Sequence, residues 1–291
     1  MKENNHFPVQ FGTVAIVGVG LIGGSLGMAL KGRRLAERVI GIGRSRERLN
    51  KAVAFGAIDD GAVDLAEGLA QADVVVMCST VGHILETLAE TLTRCNSRAV
   101  VTDVGSTKGT IVAAASGNGR FVGGHPLAGS EQTGVEAATP TLFEEATWAI
   151  TPVLTTDPDA QRTVEMLARE VGATTLTLTP EAHDAMLAVT SHLPHLLASA
   201  LMRQAAVTQA SYQETRMLTA GSFADATRVA ASSPELWRDV CLTNRSALLS
   251  ALGGFRKELD VLEQAINAGD AAEIEAFFAS GAEVKRGWRK L

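Results

Sequence analysis

From residue 12 to about residue 178, short β-branched runs alternate with stretches of helical spacing. The runs are "TVAIVG", "RVIGIG", "ADVVVMCS", "RAVVTDVG", "RFVGG", "TWAIT" and "ATTLTL". Such alternation predicts βαβ units, and hence a mostly parallel, doubly wound sheet with helices on its faces. After about residue 179 the strand signals stop. Ala- and Leu-rich residues at helical spacing begin in "TPEAHDAMLAV", where Thr179 is placed to cap a helix and Pro180 to occupy its first turn. Further helices are predicted around 211–221, 234–251, 252–268 and 271–289. The chain thus reads as α/β over residues 1–178 followed by an all-α domain over 179–291. The apolar faces of the later helices exceed what one small bundle needs, which points to a core shared between two copies. A compact monomeric bundle would show the same amphipathicity, so the two readings stand together.

Composition narrows the partners. With 291 residues and 46% hydrophobic content, the chain can build two ordinary domains. Its 26 basic residues against 32 acidic ones argue against nucleic acid or an anionic membrane as the main partner. A small anionic metabolite held by a few local arginines remains open. The three cysteines, Cys78, Cys95 and Cys241, are far apart and lack metal-ligand spacing, which suggests a reducing compartment and, by default, the cytoplasm. The opening "MKENNHFPVQF" lacks the apolar centre of a signal peptide, and no apolar run approaches the roughly 20 residues that span a bilayer. A soluble protein is expected, with no resident metal.

"VAIVGVGLIGGSL" places Gly18, Gly20 and Gly23 in G-x-G-x-x-G spacing, with Leu21 and Ile22 opening the helix that follows the strand. That context is specific for a Rossmann-type dinucleotide site. It calls for a tight turn at Gly18, close approach of pyrophosphate at Gly20, and helix packing at Gly23. The second strand should end in an acidic residue if the adenosine ribose keeps a free 2′-hydroxyl. Gly43 stands there instead, followed by Arg44, Ser45 and Arg46, whose guanidinium and hydroxyl groups suit a 2′-phosphate. NADP is therefore favoured, with NAD still usable. The plainer alternative is that Ser45 caps a helix and the arginines are solvated. Ser79 and Thr80 end another strand and should lie near the middle of the cofactor.

Chemistry at a nicotinamide needs a group to take the hydroxyl proton of the alcohol being oxidised. Of six histidines, His6 lies in the N-terminal tail and His83 near the start of a helix by the cofactor. His125 follows a strand in "GGHPLAGSE", between glycines and at the sheet edge where a cleft is expected. His183, His192 and His195 crowd the first long helix of the second domain in "EAHDAMLAVTSHLPH". His192 shares a helix face with His195. Pro194 should disturb that helix and expose backbone carbonyls.

Five segments in order, "VGLIGGSL", "DVGSTKG", "GGHPLAGSE", "EAHDAMLAVTSHLPH" and "FADATRVAASSPELW", resemble the TyrA family of prephenate and arogenate (cyclohexadienyl) dehydrogenases, from about residue 12 to about residue 260. The resemblance implies oxidative decarboxylation of a cyclohexadienol on the route to tyrosine, without a metal. Product would be 4-hydroxyphenylpyruvate from prephenate or tyrosine from arogenate. It makes His125 the catalytic base and Ser106 the serine that orients the hydroxyl and His125; Ser106 also fits an N-cap for a helix from Thr107. By the same resemblance His183 and His195 line the substrate cleft, and Arg228 anchors a substrate carboxylate with two parallel hydrogen bonds. Trp237 reads as core, pocket wall or both. Glu131 has three readings: partner of Arg228, acceptor for the ammonium of arogenate, or surface residue.

Two other readings are weighed. A dehydrogenase of the β-hydroxyacid type would need a catalytic lysine in the second domain, but Lys257, Lys285 and Lys290 come late and without a matching motif. A non-catalytic NADP-binding sensor should have lost His125, Ser106 or Arg228, and all three are present.

Overall fold

The structure, a computed structural model, describes residues 10–129 and 132–288. Glu131, His6 and Lys290 lie outside the described residues. Eight strands form one sheet: β1 (Phe11–Val17), β2 (Ala36–Ile42), β3 (Asp60–Ala62), β4 (Val74–Met77), β5 (Val100–Asp103), β6 (Phe121–Pro126), β7 (Thr147–Thr151) and β8 (Thr174–Thr177). Their order is 3-2-1-4-5-6-7-8, and every neighbouring pair is parallel except β6 with β7. The sheet carries α1 (Leu21–Gly32), α2 (Arg46–Ala54), α3 (Leu65–Leu69), α4 (Val81–Arg94), α5 (Gly109–Ala114) and α6 (Pro158–Glu170).

Why the strands read as continuous apolar runs is visible in the core. Val14 and Ile16 of β1 pack with Leu26 and Leu30 of α1 in one cluster, whereas Ala15 and Val17 pack with Ile84 and Leu88 of α4 in another. Successive residues of a strand point to opposite faces, and here both faces are covered, so neither set can be polar. The expected mostly parallel, doubly wound sheet is observed. β3 escaped the sequence reading because its three residues, Asp-Gly-Ala, carry no apolar run; register with Ile40–Ile42 of β2 makes it a strand.

Beyond β8 the described chain is helical: α7 (Pro180–Leu187), α8 (Leu193–Ser211), α9 (Gly221–Thr227), α10 (Pro234–Thr243), α11 (Arg245–Ala268) and α12 (Ala271–Gly287). Thr179 caps α7 by accepting from the Ala182 amide, as its position suggested. Between α7 and α8 lies one π-helical segment, Ala188–His192, and Pro194 follows it in the first turn of α8, where its missing N–H is tolerated. Two helix boundaries differ from expectation. The break falls at Asn244 and not near residue 251, and α11 runs unbroken through Gly253 and Gly254, since neither glycine adopts positive φ. The segment expected as a helix around 211–221 is a 3₁₀ turn, Gln213–Leu218, followed by α9.

Pro180–Ser211 is also the one stretch among the described residues that is long and apolar enough, by length and composition, to cross a membrane. The sequence reading missed it because polar residues interrupt every apolar run within it. Buried His183 and His192 lie in the same stretch that exposes Met186, Val189, Leu201, Met202 and Val207.

By compactness the chain divides at Arg245/Ser246. Hydrogen bonds explain why α7 and α10 stay with the sheet. Asp184 of α7 accepts from the amides of Lys108 and Gly109, both 2.8 Å. Asp239 of α10 accepts from the Gly82 amide at 3.0 Å, and Thr243 meets Thr107 at 2.9 Å. The second unit holds the rest of α11 together with α12; Gly269 turns at φ 64° and Asp270 caps α12 through the Ala272 and Glu273 amides.

Candidate active site

The strand order reverses between β1 and β4, and ligands of open α/β sheets bind where such a reversal opens a crevice at the strands' carboxyl ends. A cleft of about 850 Å³ lies there, lined by Gly18, Gly20, Gly43, Arg44, Ser45, Ser79 and others. Gly18 turns at φ 97°, a conformation that favours glycine, and a side chain at Gly23 would strike the Gly18 carbonyl. In front of Gly20 a Cβ would meet nothing within 4 Å. No side chain caps the amides of α1, and the buried Ser79 hydroxyl lacks a hydrogen-bond partner. Uncapped helix N–H groups facing open space, with an unpaired hydroxyl beside them, fit a pyrophosphate and its attached ribose. Thr80 caps α4 through the His83 amide at 3.4 Å.

At the adenosine end, Ser45 does cap α2, accepting from the Arg48 amide. Arg44 lines the cleft. Arg46 does not: it donates to the Gly61 carbonyl of β3, and Arg48, two residues on and so on the other side of the helix, takes its place in the lining. A Cβ at Gly43 would meet only Leu49 at 3.5 Å, so space alone does not exclude an acidic side chain there.

His125 sits inside β6, opposite Ala149 of β7, not beyond the strand's end as its glycine-rich surroundings suggested; the antiparallel ladder with β7 extends the strand through Pro126. Its Nδ1 lies 2.9 Å from Nε2 of His183, whose Nδ1 lies 2.9 Å from Oδ1 of Asp184. This chain of contacts fixes the protons. A carboxylate only accepts, so His183 Nδ1 donates to it; with one proton on that ring, its Nε2 is bare and accepts from His125 Nδ1–H. The remaining nitrogen of His125, Nε2, is left with a free lone pair. Burial, followed by His183, Lys108 and His192, pushes the His125 pKa well below the ordinary histidine value, so the imidazole is neutral at pH 7. Burial also works to raise the Asp184 carboxyl, but the bonds from His183, Lys108 and Gly109 outweigh it and hold that carboxyl below its usual range.

His183 is fully buried with both ring nitrogens engaged, so it stands behind His125 and does not line the cleft. Ser106 does not cap a helix at Thr107. The helix begins at Gly109, and Asp184, from the helical half, takes the amides that Ser106 was expected to serve. Among the described residues the Ser106 hydroxyl makes no hydrogen bond. Burial drives His192, which accepts from Asn244 at 3.1 Å, to a pKa of about 4 against the opposing pull of the Ser106 backbone carbonyl. His192 is thus a neutral brace for the segment carrying Ser106.

His195 donates from Nδ1 to the Ser191 carbonyl at 2.9 Å, an acceptor freed by the irregular turn ahead of Pro194. Its ring stacks on Trp237 with centroids 3.9 Å apart, and the buried Trp237 indole N–H has no partner. Burial and the nearby positive charge of Arg228 lower the His195 pKa against the opposing effect of the Ser191 carbonyl. Arg228 opens a 3₁₀ turn, Arg228–Ala231, is exposed, and has no carboxylate partner among the described residues. No group of three or more His, Cys, Asp or Glu among the described residues could hold a metal ion.

The sequence reading missed Asp184, Lys108, Asp103 and Asn244. Asp184 had one available signal, its place directly after His183 on the first turn of a helix. For the others the only mark is burial, which appears once the strands are paired.

Comparisons with known proteins add two kinds of likeness. Family models described as the prephenate dehydrogenase nucleotide-binding domain and the prephenate dehydrogenase dimerization domain match residues 26–177 and 179–280. The prephenate dehydrogenase of Bacillus subtilis (strain 168) is 35% identical over 280 residues, covering 94% of this chain and 76% of the relative. The cyclohexadienyl dehydrogenase of Zymomonas mobilis is 33% identical over 264 residues, covering 89% and 90%. Among solved structures, the prephenate dehydrogenase from A. aeolicus in complex with hydroxyphenyl propionate and NAD+ superposes with a TM-score of 0.88 at 33% identity, over 97% of this chain and 98% of that one. Synechocystis arogenate dehydrogenase gives 0.81 at 31% identity, over 95% and 100%.

Proposed function

The chain belongs to the prephenate dehydrogenase family, and from that premise we propose that it catalyses NAD(P)-dependent oxidative decarboxylation of prephenate, L-arogenate or both. The observation that carries this reading is the His125–His183–Asp184 chain, which engages Nδ1 of His125 and leaves its Nε2 for substrate, at the sheet end that also bears the dinucleotide cleft. Bound NAD(P)+ supplies the hydride acceptor. His125 takes the proton of the ring hydroxyl as the carbinol C–H bond gives up its hydride, and the carbonyl forms. The ring C–CO₂⁻ bond breaks as carbon dioxide leaves, its electron pair running through the ring to the carbonyl oxygen, which takes the proton back from His125 and leaves an aromatic phenol. Arg228 anchors a carboxylate, and the stacked His195 and Trp237 form one wall with an indole N–H still to be paired. Ser106 orients the hydroxyl. His195 can bind a carboxylate through Nε2 only when protonated there, because its Nδ1–H is committed to Ser191.

The functional division falls at residue 178: 1–178 for the cofactor and 179–291 for substrate and dimerisation. A homodimer in the cytoplasm accounts for the apolar side chains exposed along Pro180–Ser211, for the match to a dimerization domain and for three free cysteines. NADP is preferred over NAD, because Gly43 removes the carboxylate that would repel a 2′-phosphate and Arg44 with Arg48 supplies its counter-charge.

One set of assays tests all of this. Protein with prephenate and NADP+ should generate reduced cofactor and 4-hydroxyphenylpyruvate, and arms with L-arogenate and NAD+ rank the substrates and cofactors. Arg44→Ala with Arg48→Ala should raise KM for NADP+ by about 10- to 100-fold, the range of charge-assisted hydrogen bonds, while KM for NAD+ stays within about threefold. Equal losses would remove the 2′-phosphate site, and no reduction with either substrate would remove the activity.

A further inference from the structure

We propose that the buried Lys108–Asp103 pair is a positioning device for His125, gripping the peptide of Gly124 from both sides; this rests on the reading of His125 as the base. Both side chains are wholly buried. Lys108 Nζ pairs with Asp103 Oδ2 and donates to the Gly124 carbonyl at 2.7 Å. Asp103 Oδ1 accepts from the Gly124 amide at 3.2 Å, and Oδ2 from the Gly105 amide at 2.8 Å. Gly124 is therefore held at its donor and at its acceptor, one residue before the imidazole.

The absence of a side chain at Gly124 is what allows this grip. A Cβ there would come within 2.9 Å of Asp103 O, Thr102 Oγ1 and Trp148 Nε1. Lys108 adds a second link, because its own amide is one of the donors to Asp184. One residue thus ties the strand carrying His125 to the carboxylate that sets the tautomer of His183. A buried ion pair does little for stability compared with apolar packing of the same volume, so its retention beneath a reacting group asks for another reason.

Charge supplies a second consequence. The titratable groups facing His125 are His183 and Asp184 of α7, His192 of the π-helical segment, Asp103 of β5 and Lys108 from the β5–α5 connection. Lys108 is among those that oppose protonation of His125.

Lys108→Met tests the inference, with Lys108→Met/Asp103→Leu as the variant that leaves no unpaired buried carboxylate. Unchanged NADP+ Kd certifies the fold. In both variants kcat should fall between about 10- and 100-fold, as expected for a displaced catalytic group, with KM for substrate within about threefold. The acid limb of kcat/KM should move to higher pH by about one unit in the single variant and stay in place in the double. The pH dependence of diethylpyrocarbonate modification at residue 125, followed by peptide mass, reads the same titration without substrate. Folded variants with kcat within twofold of the parent and an unmoved limb would overturn the proposal. Loss of cofactor binding in both would overturn it too, since the pair would then hold the fold and not the imidazole. A parent protein that reduces no cofactor would instead sink the functional reading, while the modification profile still decides this one.

Discussion

His125→Asn should lower kcat by about 10³-fold, near the middle of the range for removing a general base, and leave the Kd for NADP+ unchanged. Asparagine is the informative replacement. Its amide N–H can still donate to Nε2 of His183, so the buried chain behind it keeps its partner. What disappears is the lone pair that takes the hydroxyl proton. In the parent, the same lone pair gives the pH dependence a definite sign. The folded pKa of His125 is pushed well below 6.5, so the base is available at neutral pH and kcat/KM declines only as the pH falls through that lowered value. In the Asn variant the limb should vanish along with the rate. Turnover close to the parent's, with a limb still present, would assign the base elsewhere.

Arg228→Gln should act on binding. The guanidinium is exposed, without a carboxylate partner among the described residues, and close enough to His195 to lower its pKa. A substrate carboxylate would gain two parallel charge-assisted bonds from it, worth about 3 kcal/mol together. Their loss predicts a KM increase of about 100-fold with kcat within about fivefold. Arg228→Lys should recover only part, because an ammonium offers a point charge without the fork. Steady-state kinetics separate the cases; a fall in kcat at unchanged KM would place Arg228 in the chemistry rather than in the anchor.

Much of the fold was legible because strands covered on both faces must be apolar, as β4 and most of β1 are, while β-branched runs mark most of the others down to the exposed Thr-Thr-Leu-Thr of edge strand β8. β3 was not, since Asp60, Gly61 and Ala62 become a strand only by lying beside β2. The glycine motif was readable for a similar reason: a tight turn, open space and close packing each demand glycine at a fixed spacing, and Gly18, Gly20 and Gly23 meet those demands in turn. His125 was readable as a candidate, but its tautomer was not. That depends on His183 and Asp184, 58 and 59 residues downstream, brought up by the first turn of α7. Arg46 and Arg48 show the limit of local reading. Both lie on the same short helix after Gly43, two residues apart and so on opposite sides of it, and only the placing of that helix beside β3 shows that Arg48 faces the cleft while Arg46 turns to the Gly61 carbonyl.

The whole account stands on which nitrogen of one ring carries a proton. Nitrogen-15 NMR of the histidine side chains at pH 7, with the His125 signal assigned by its loss in His125→Asn, measures this directly. The account predicts a protonated Nδ1 and a bare Nε2 on a neutral ring. A proton on Nε2, or on both nitrogens, would contradict it.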